Sequence, residues 1–254
     1  MAGCGVGPRW LSGCSAPWAV RSLLNAGGIT CSGWATVRAC LVPSMPKRTR
    51  KSNRLLKKLP EQVEDVRAAH PQASVELWSM DEHRIGLKPI LRRVWAPKGA
   101  TVKAPVAPRY QWMYVYAFVH PESGRTSWLL LPTVNGEVFS QALALFASEV
   151  GAGTDKQIVL LLDGAGWHKS ATLSLPRGIQ LLFLPPYSPE VQQAPRLWPL
   201  SNEPLANRVF ASLDELEQVQ AERCRWLQDH PAVVRAHTCF HWWPSLDSTR
   251  TDFI

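Results

Sequence analysis

Asp81 and Asp163 each close an apolar run. The first run is Val75-Glu76-Leu77-Trp78-Ser79-Met80, ending on Asp81-Glu82. The second is Ile158-Val159-Leu160-Leu161-Leu162, ending on Asp163-Gly164-Ala165-Gly166-Trp167-His168. Runs of this kind read as strands, and in an open α/β sheet ligands bind beyond the carboxyl ends of the strands. Two neighbouring strand ends would bring both carboxylates to one spot, where like charges repel unless a cation lies between them. Oxygen ligands suit Mg2+, which keeps several waters and binds through one or two carboxylates and substrate phosphates. With a third acid on a later helix, such a pair holds two metal ions for phosphoryl transfer. Either Asp alone reads as a strand cap or turn starter; the pair and its context favour a site. His168, five residues after Asp163, reads equally as a group that orients a phosphate or metal-bound water and as a helix-start residue.

Periodicity supplies the elements that must position these residues. A strand is expected over 75–80, with Asp81 at its end. A short helix is expected over 60–70, with Val63, Val66 and Ala69 on one face, and a short extended piece over 90–95. Tyr110, Trp112, Tyr114, Tyr116 and Phe118 recur at period two, which marks a strand over 110–120. Pro121-Glu122-Ser123-Gly124 turns it into a partner strand over 126–131. Phe139, Leu143, Phe146 and Val150 form the stripe of a helix over 137–150. The run 158–162 is continuously apolar, as buried central strands are. A helix, a strand over 180–184 and further helices follow. Ser212 and Glu215 form a capping box ahead of a helix through Leu227. The expected fold class is therefore α/β, a mixed sheet flanked by helices, in an order that matches the ribonuclease H-like one and fits many other α/β folds as well.

Charge is unevenly placed. The chain of 254 residues carries a formal +8, yet residues 1–60 hold ten Lys/Arg and no acid. The basic character belongs to an N-terminal arm, expected to be disordered. Within it, Lys47, Arg48, Arg50, Lys51, Arg54, Lys57 and Lys58 read either as a DNA-binding run or as a solvated linker. The six cysteines form no CxxC pair, which points to free thiols and a reducing, cytoplasmic compartment. No apolar stretch approaches the ~20 residues of a membrane span. The first 44 residues, acid-free and rich in Gly, Ser, Ala, Cys and Trp, read as an organelle transit peptide or, preferably, as non-native sequence ahead of the fold, with Met45 an alternative start. The twelve Trp are scattered and read mainly as core packing.

Three blocks together carry a resemblance: Trp78-Ser79-Met80-Asp81-Glu82-His83-Arg84-Ile85-Gly86-Leu87, Leu162-Asp163-Gly164-Ala165-Gly166-Trp167-His168, and Leu184-Pro185-Pro186-Tyr187-Ser188-Pro189-Glu190 running on to Arg196-Leu197-Trp198. The chain resembles bacterial insertion-sequence transposases of the mariner-like superfamily, which carry a DDE catalytic domain. The likeness covers about residues 58–244. It implies a ribonuclease H-like domain over 60–244, after a basic segment over 1–59 and before a tail over 245–254. It implies Mg2+ or Mn2+ as cofactor, DNA as substrate, a homodimer, a nucleoid-associated setting, and neither a small-molecule substrate nor a membrane.

Asp81 and Asp163 match the first two family acids. The column of the third is Pro195, which offers no side-chain oxygen and no backbone N–H. Glu190 and Glu203 are the candidate substitutes. The expectation is a DDE-type transposase impaired at that position; the alternative is a catalytically inactive DNA-binding remnant.

Overall fold

The computed structural model of the chain describes residues 50–104, 106–186, 188, 191–240 and 243–244. The N-terminal helix α1 spans Arg50–Ala69. Strands β1 (Ser74–Gly86), β2 (Trp112–His120) and β3 (Arg125–Leu131) follow, then helix α2 (Gly136–Val150) and strand β4 (Lys156–Leu162). Strand β5 (Ile179–Phe183), the single turn α3 (Trp198–Ser201) and helices α4 (Leu213–Asp229) and α5 (Pro231–Thr238) complete the order. The sheet order is β3-β2-β1-β4-β5. Strand β1 pairs antiparallel with β2 and parallel with β4. This is the ribonuclease H-like arrangement expected from the element order.

Strand alternation divides the core in two. Trp78, Met80, Tyr116, Phe118, Ile158, Leu160 and Leu162 point to one face, where α2 seals them with Phe139, Leu143 and Phe146. Leu77, Val159 and Leu161 point to the other, under Leu59 and Val63 of α1. Further along that face, Ala117 and Val119 meet Ala194, Leu197, Leu227 and Val234. Helix α2 is closed at both ends: Asn135 Oδ1 accepts from the Val138 N–H at 2.8 Å, and Gly151 terminates it in the left-handed region, φ 70°. At α4, Ser212 Oγ accepts from the Glu215 N–H at 3.2 Å, while Glu215 Oε2 accepts from Ala211 N rather than from the cap residue itself.

Four expectations are corrected. Helix α1 begins at Arg50, not at Pro60, and runs through that proline. The buried stripe of Leu59 and Val63 carries it, so the second half of the basic run is helical rather than arm-like. The expected extended piece after residue 90 reduces to a single bridge, Ile90 to Ala206. Where a helix was expected after Asp163 there is one 3-10 turn, Gly166–Lys169. And β1 does not stop at Asp81: it continues to Gly86, paired with β2 alone beyond Ser79. A strand with one free edge tolerates the polar run Glu82-His83-Arg84 that reads locally as a strand end.

Candidate active site

The parallel ladder pairs Ser79 with Leu161. Two residues further along both strands come Asp81 and Asp163, on the face opposite α2. Asp163 follows the last residue of β4, as expected, whereas Asp81 lies inside β1.

Asp81 is held from above by the segment that carries Pro195. Ser79 Oγ accepts from the N–H groups of Gln193 and Ala194, each at 3.3 Å, and Gln192 Nε2 donates to the Met80 carbonyl at 3.1 Å. These bonds seat the 3-10 turn Ala194–Leu197 on β1, with Pro195 in its first two positions. There the missing N–H is one the turn would leave unpaired anyway, so the fold accepts proline. One turn on, the Trp198 indole N–H donates to Asp81 Oδ2 at 2.9 Å. Trp198 also stacks on His83, with centroids 4.9 Å apart. It is thus a site-packing residue. Burial pushes the Asp81 carboxyl up to about 7, reinforced by the charges of Glu82 and Asp163 and opposed by the Trp198 bond.

Asp163 has a different environment. His168 Nδ1 lies 2.9 Å from its Oδ1, and the Ala165 N–H donates to the same oxygen at 3.0 Å. The His168 bond chiefly holds this carboxyl below its ordinary range. Both contacts fall on Oδ1 and the side chain is half exposed, so Oδ2 is the oxygen open to a ligand. Beside it lies a cavity of about 420 Å3, bounded by Asp163, Lys169, Pro185 and Pro186.

His168 is not at a surface that DNA reaches. Its side chain is 1% exposed and packed on Phe139, which corrects its reading as a group that orients a DNA phosphate. Nε2 lies 2.8 Å from Glu82 Oε1, so the ring bridges two carboxylates. Donation at both nitrogens requires the imidazolium. Burial pushes its pKa down, but the bonds to Asp163 and Glu82 outweigh that and raise it to about 9. The Trp167 indole N–H lies 3.2 Å from Glu82 Oε1 and 3.0 Å from His168 Nε2. A protonated Nε2 is itself a donor, so the indole donates to Glu82. Sequence reading missed Glu82 and Trp167. The available signal was alternation: an acid beside Asp81 must point to the opposite face of β1.

Glu203 is 63% exposed, and its carboxylate accepts from Arg223 on α4 at 2.7 Å. Glu190 lies outside the described residues, as do Lys47 and Arg48. Arg50, Lys51 and Arg54 fall on the first turns of α1. Lys57 and Lys58 are exposed on the same helix, beside the buried Leu59. Among the described residues no group of three His, Cys, Asp or Glu is arranged to hold a metal ion. No helix of the described residues is long and apolar enough to cross a membrane.

Comparison with known proteins adds three findings. Residues 76–217, more than half of the chain, match the family model described as DDE superfamily endonuclease. An uncharacterized protein y4pE/y4sA of Sinorhizobium fredii (strain NBRC 101917 / NGR234) is 36% identical over 106 residues, 41% of this chain and 77% of that protein. Among solved structures, a Mos1 strand transfer complex matches at 16% identity and TM-score 0.42, covering 74% of this chain and 61% of that one. A pre-cleavage Mos1 transpososome matches at 14% and 0.46, covering 74% and 62%. The chain therefore spans about three fifths of the length of these Mos1 chains.

Proposed function

The chain belongs to the DDE superfamily endonucleases, a DNA-cleaving and strand-transferring enzyme family, and from that premise we propose that it is a mariner-like transposase domain whose cleavage of transposon ends is impaired at Pro195. The observation that carries this reading is the seating of Pro195 on the strand that presents Asp81, one turn before the indole bonded to that carboxylate.

The acids fit one divalent cation, Mg2+ or Mn2+. Asp81 and Asp163 each come two residues beyond the last pair of the β1–β4 ladder, and the charge of Asp163 adds to the cost of ionising the buried Asp81. When bound, that cation supplies Lewis-acid stabilisation of charge on phosphate oxygens. The residues of the chain do the rest. His168 fixes one oxygen of Asp163 and leaves the other for ligation. Trp198 fixes one oxygen of Asp81 and packs over it. Lys169, on the rim of the cavity beside Asp163, supplies a positive charge for a DNA phosphate. Lys57 and Lys58, with the basic run before them, add sequence-independent attraction to DNA. Pro195 brings no side-chain oxygen to a second cation, so the two-cation arrangement is left incomplete. A homodimer holding two DNA ends is part of the same proposal.

The test is a Mn2+-dependent nicking assay on the natural protein beside Pro195→Glu and Asp163→Ala. Cleavage by Pro195→Glu alone is the expected result. Equal cleavage by the natural protein and Pro195→Glu would overturn the impairment, and cleavage by Asp163→Ala would overturn the site.

A further inference from the structure

Strand β1 and strand β2 close their ladder at Gly86 and Trp112. There they are so near that a Cβ on Gly86 would collide with the Gln111 backbone. Beside this pinch lies a cavity of about 310 Å3 lined by Arg84, Lys88, Arg109, Tyr110 and Trp112 among others, and by no acid. We propose that this groove binds a DNA strand, with its cations against phosphates and Tyr110 and Trp112 against an unpaired base. The proposal rests on the DNA-cutting reading above and deepens it by naming where the strand lies.

Three observations support it. The first is charge: the segment 88–111 holds Lys88, Arg92, Arg93, Lys98, Lys103 and Arg109 and no Asp or Glu. A polyanion complements it, whereas an isologous contact with a second copy would set these cations against their own kind. The second is exposure of aromatic rings that a folded core would otherwise take in. Tyr110 is 74% exposed and Trp112 46%. Arg84 Cζ sits 5.4 Å from the Trp112 ring centroid, which leaves one indole face covered by a cation. Aromatic platforms set among cations are how proteins hold single strands without sequence preference. The third is a rigid frame. The Arg92 N–H donates to Asn207 Oδ1 at 2.9 Å, and Asn207 Nδ2 returns a bond to the Arg92 carbonyl at 3.0 Å. Arg109 donates to the carbonyls of Ala211, at 2.6 Å, and Phe210. Both feet of the segment are thus tied to the chain before α4. Arg84 follows Asp81 by three residues on β1, about 10 Å along the strand and on the other face of the sheet, so the groove is reached around the end of the β1–β2 ladder rather than directly from the carboxylates.

The test uses the full chain and a short fluorescein-labelled oligo-dT strand, read by anisotropy across a KCl series. Tyr110→Ala is expected to weaken binding about tenfold, with Tyr110→Phe binding as the natural protein does. Lys88→Ala is expected to lower the slope of log affinity against log salt by about 0.7. Tyr110 lies outside the strands, and unchanged thermal melts of the variants establish that they fold. Variants that match the natural protein in affinity and slope, while Lys57→Ala weakens binding, overturn the groove and leave the DNA reading standing. A Tyr110→Ala variant that loses self-association but not oligonucleotide affinity also overturns it, because the groove is then a protein interface. A natural protein that fails to bind the strand at low salt overturns both.

Discussion

Asp81 inside β1 and Asp163 just past the end of β4 each come two residues beyond the last pair of the parallel β1–β4 ladder, Ser79 with Leu161. Asp81, so placed, is costly to ionise until a cation joins it. Burial, with the charges of Glu82 and Asp163, raises the Asp81 carboxyl from 3.8 to about 7. For an acid raised in the folded state, the penalty appears as pH climbs through the unfolded value and is complete above the folded one. In EDTA at a pH above 7, Asp81→Asn is therefore expected to stabilise the protein by about 2–4 kcal/mol. The amide oxygen still accepts from Trp198. With Mn2+ the order of gains reverses: ligand binding stabilises the natural protein and leaves Asp81→Asn unmoved. Thermal melts with and without Mn2+ check both halves. A variant that melts no higher than the natural protein in EDTA counts against the paired-acid arrangement.

The imidazolium of His168, closed between Glu82 and Asp163, is a buried charge satisfied on both sides. Removing one partner of such a pair leaves the other uncompensated, at a cost of about 3–5 kcal/mol. Glu82→Ala and His168→Ala are each expected to fall in that range. Together they should cost less than their sum, by about 1–3 kcal/mol, because the second change removes a charge already orphaned. Urea unfolding of the four proteins gives the coupling directly. Strict additivity would mean that the two side chains do not act as a pair.

Much of this architecture was legible because it is periodic. The alternation from Trp112 to Phe118 and the stripe Phe139, Leu143, Phe146 are local patterns, and β2 and α2 fall where they indicate. Asp163 was placed correctly because the apolar run ends abruptly at Leu162. The end of β1 was set too early, at Asp81: Glu82, His83 and Arg84 break the apolar run, but β1 goes on to Gly86 because β2 still pairs with it. Helix α1 was cut short at Pro60 by a rule that tertiary burial of Leu59 and Val63 overrides. Glu82 and His168 lie 86 residues apart and meet only through the fold, so no local pattern announces their contact. Exposure was the least legible property. Trp95 has the composition of a core residue and is 80% exposed, in a segment that forms no strand.

Gly124 ends the turn between β2 and β3 with φ 77°, in the region that favours glycine, and a Cβ there would strike the Pro231 carbonyl at the start of α5. Both the backbone and the contact oppose a side chain. Gly124→Ala is expected to cost about 2 kcal/mol or more, through strain at a positive φ and displacement of α5. Urea denaturation is the measurement. Because Val234 of α5 is fully buried against Val119, the loss should appear as a lower midpoint for the whole fold. An unchanged midpoint would show that α5 is free to shift.

At the opposite end of β1 from the site, Glu76 gathers three donors: Arg125 at 2.6 Å, the Trp78 indole at 2.8 Å and Lys156 at 3.0 Å. Burial pushes its carboxyl up, but the donors outweigh it and bring the pKa down from 4.5 to about 2. An acid depressed in the folded state lends stability that is present above its unfolded value and lost as pH falls through the folded one. The window for Glu76 is therefore 4.5 down to about 2. Nearby His120 is held neutral by burial, its pKa lowered from 6.5 to about 4. The unfolded chain takes up that proton first, so His120 also removes stability as pH falls, in the window from 6.5 to about 4. Arg125 is half exposed, so solvent screening trims the Glu76 contribution to about 2 kcal/mol. Stability measured by urea unfolding is expected to decline in two overlapping steps on acidification. Glu76→Gln should flatten the lower step and leave the upper, while His120→Gln should do the reverse. A Glu76→Gln variant that loses stability with acid as steeply as the natural protein below 4.5 would assign the loss to other carboxylates.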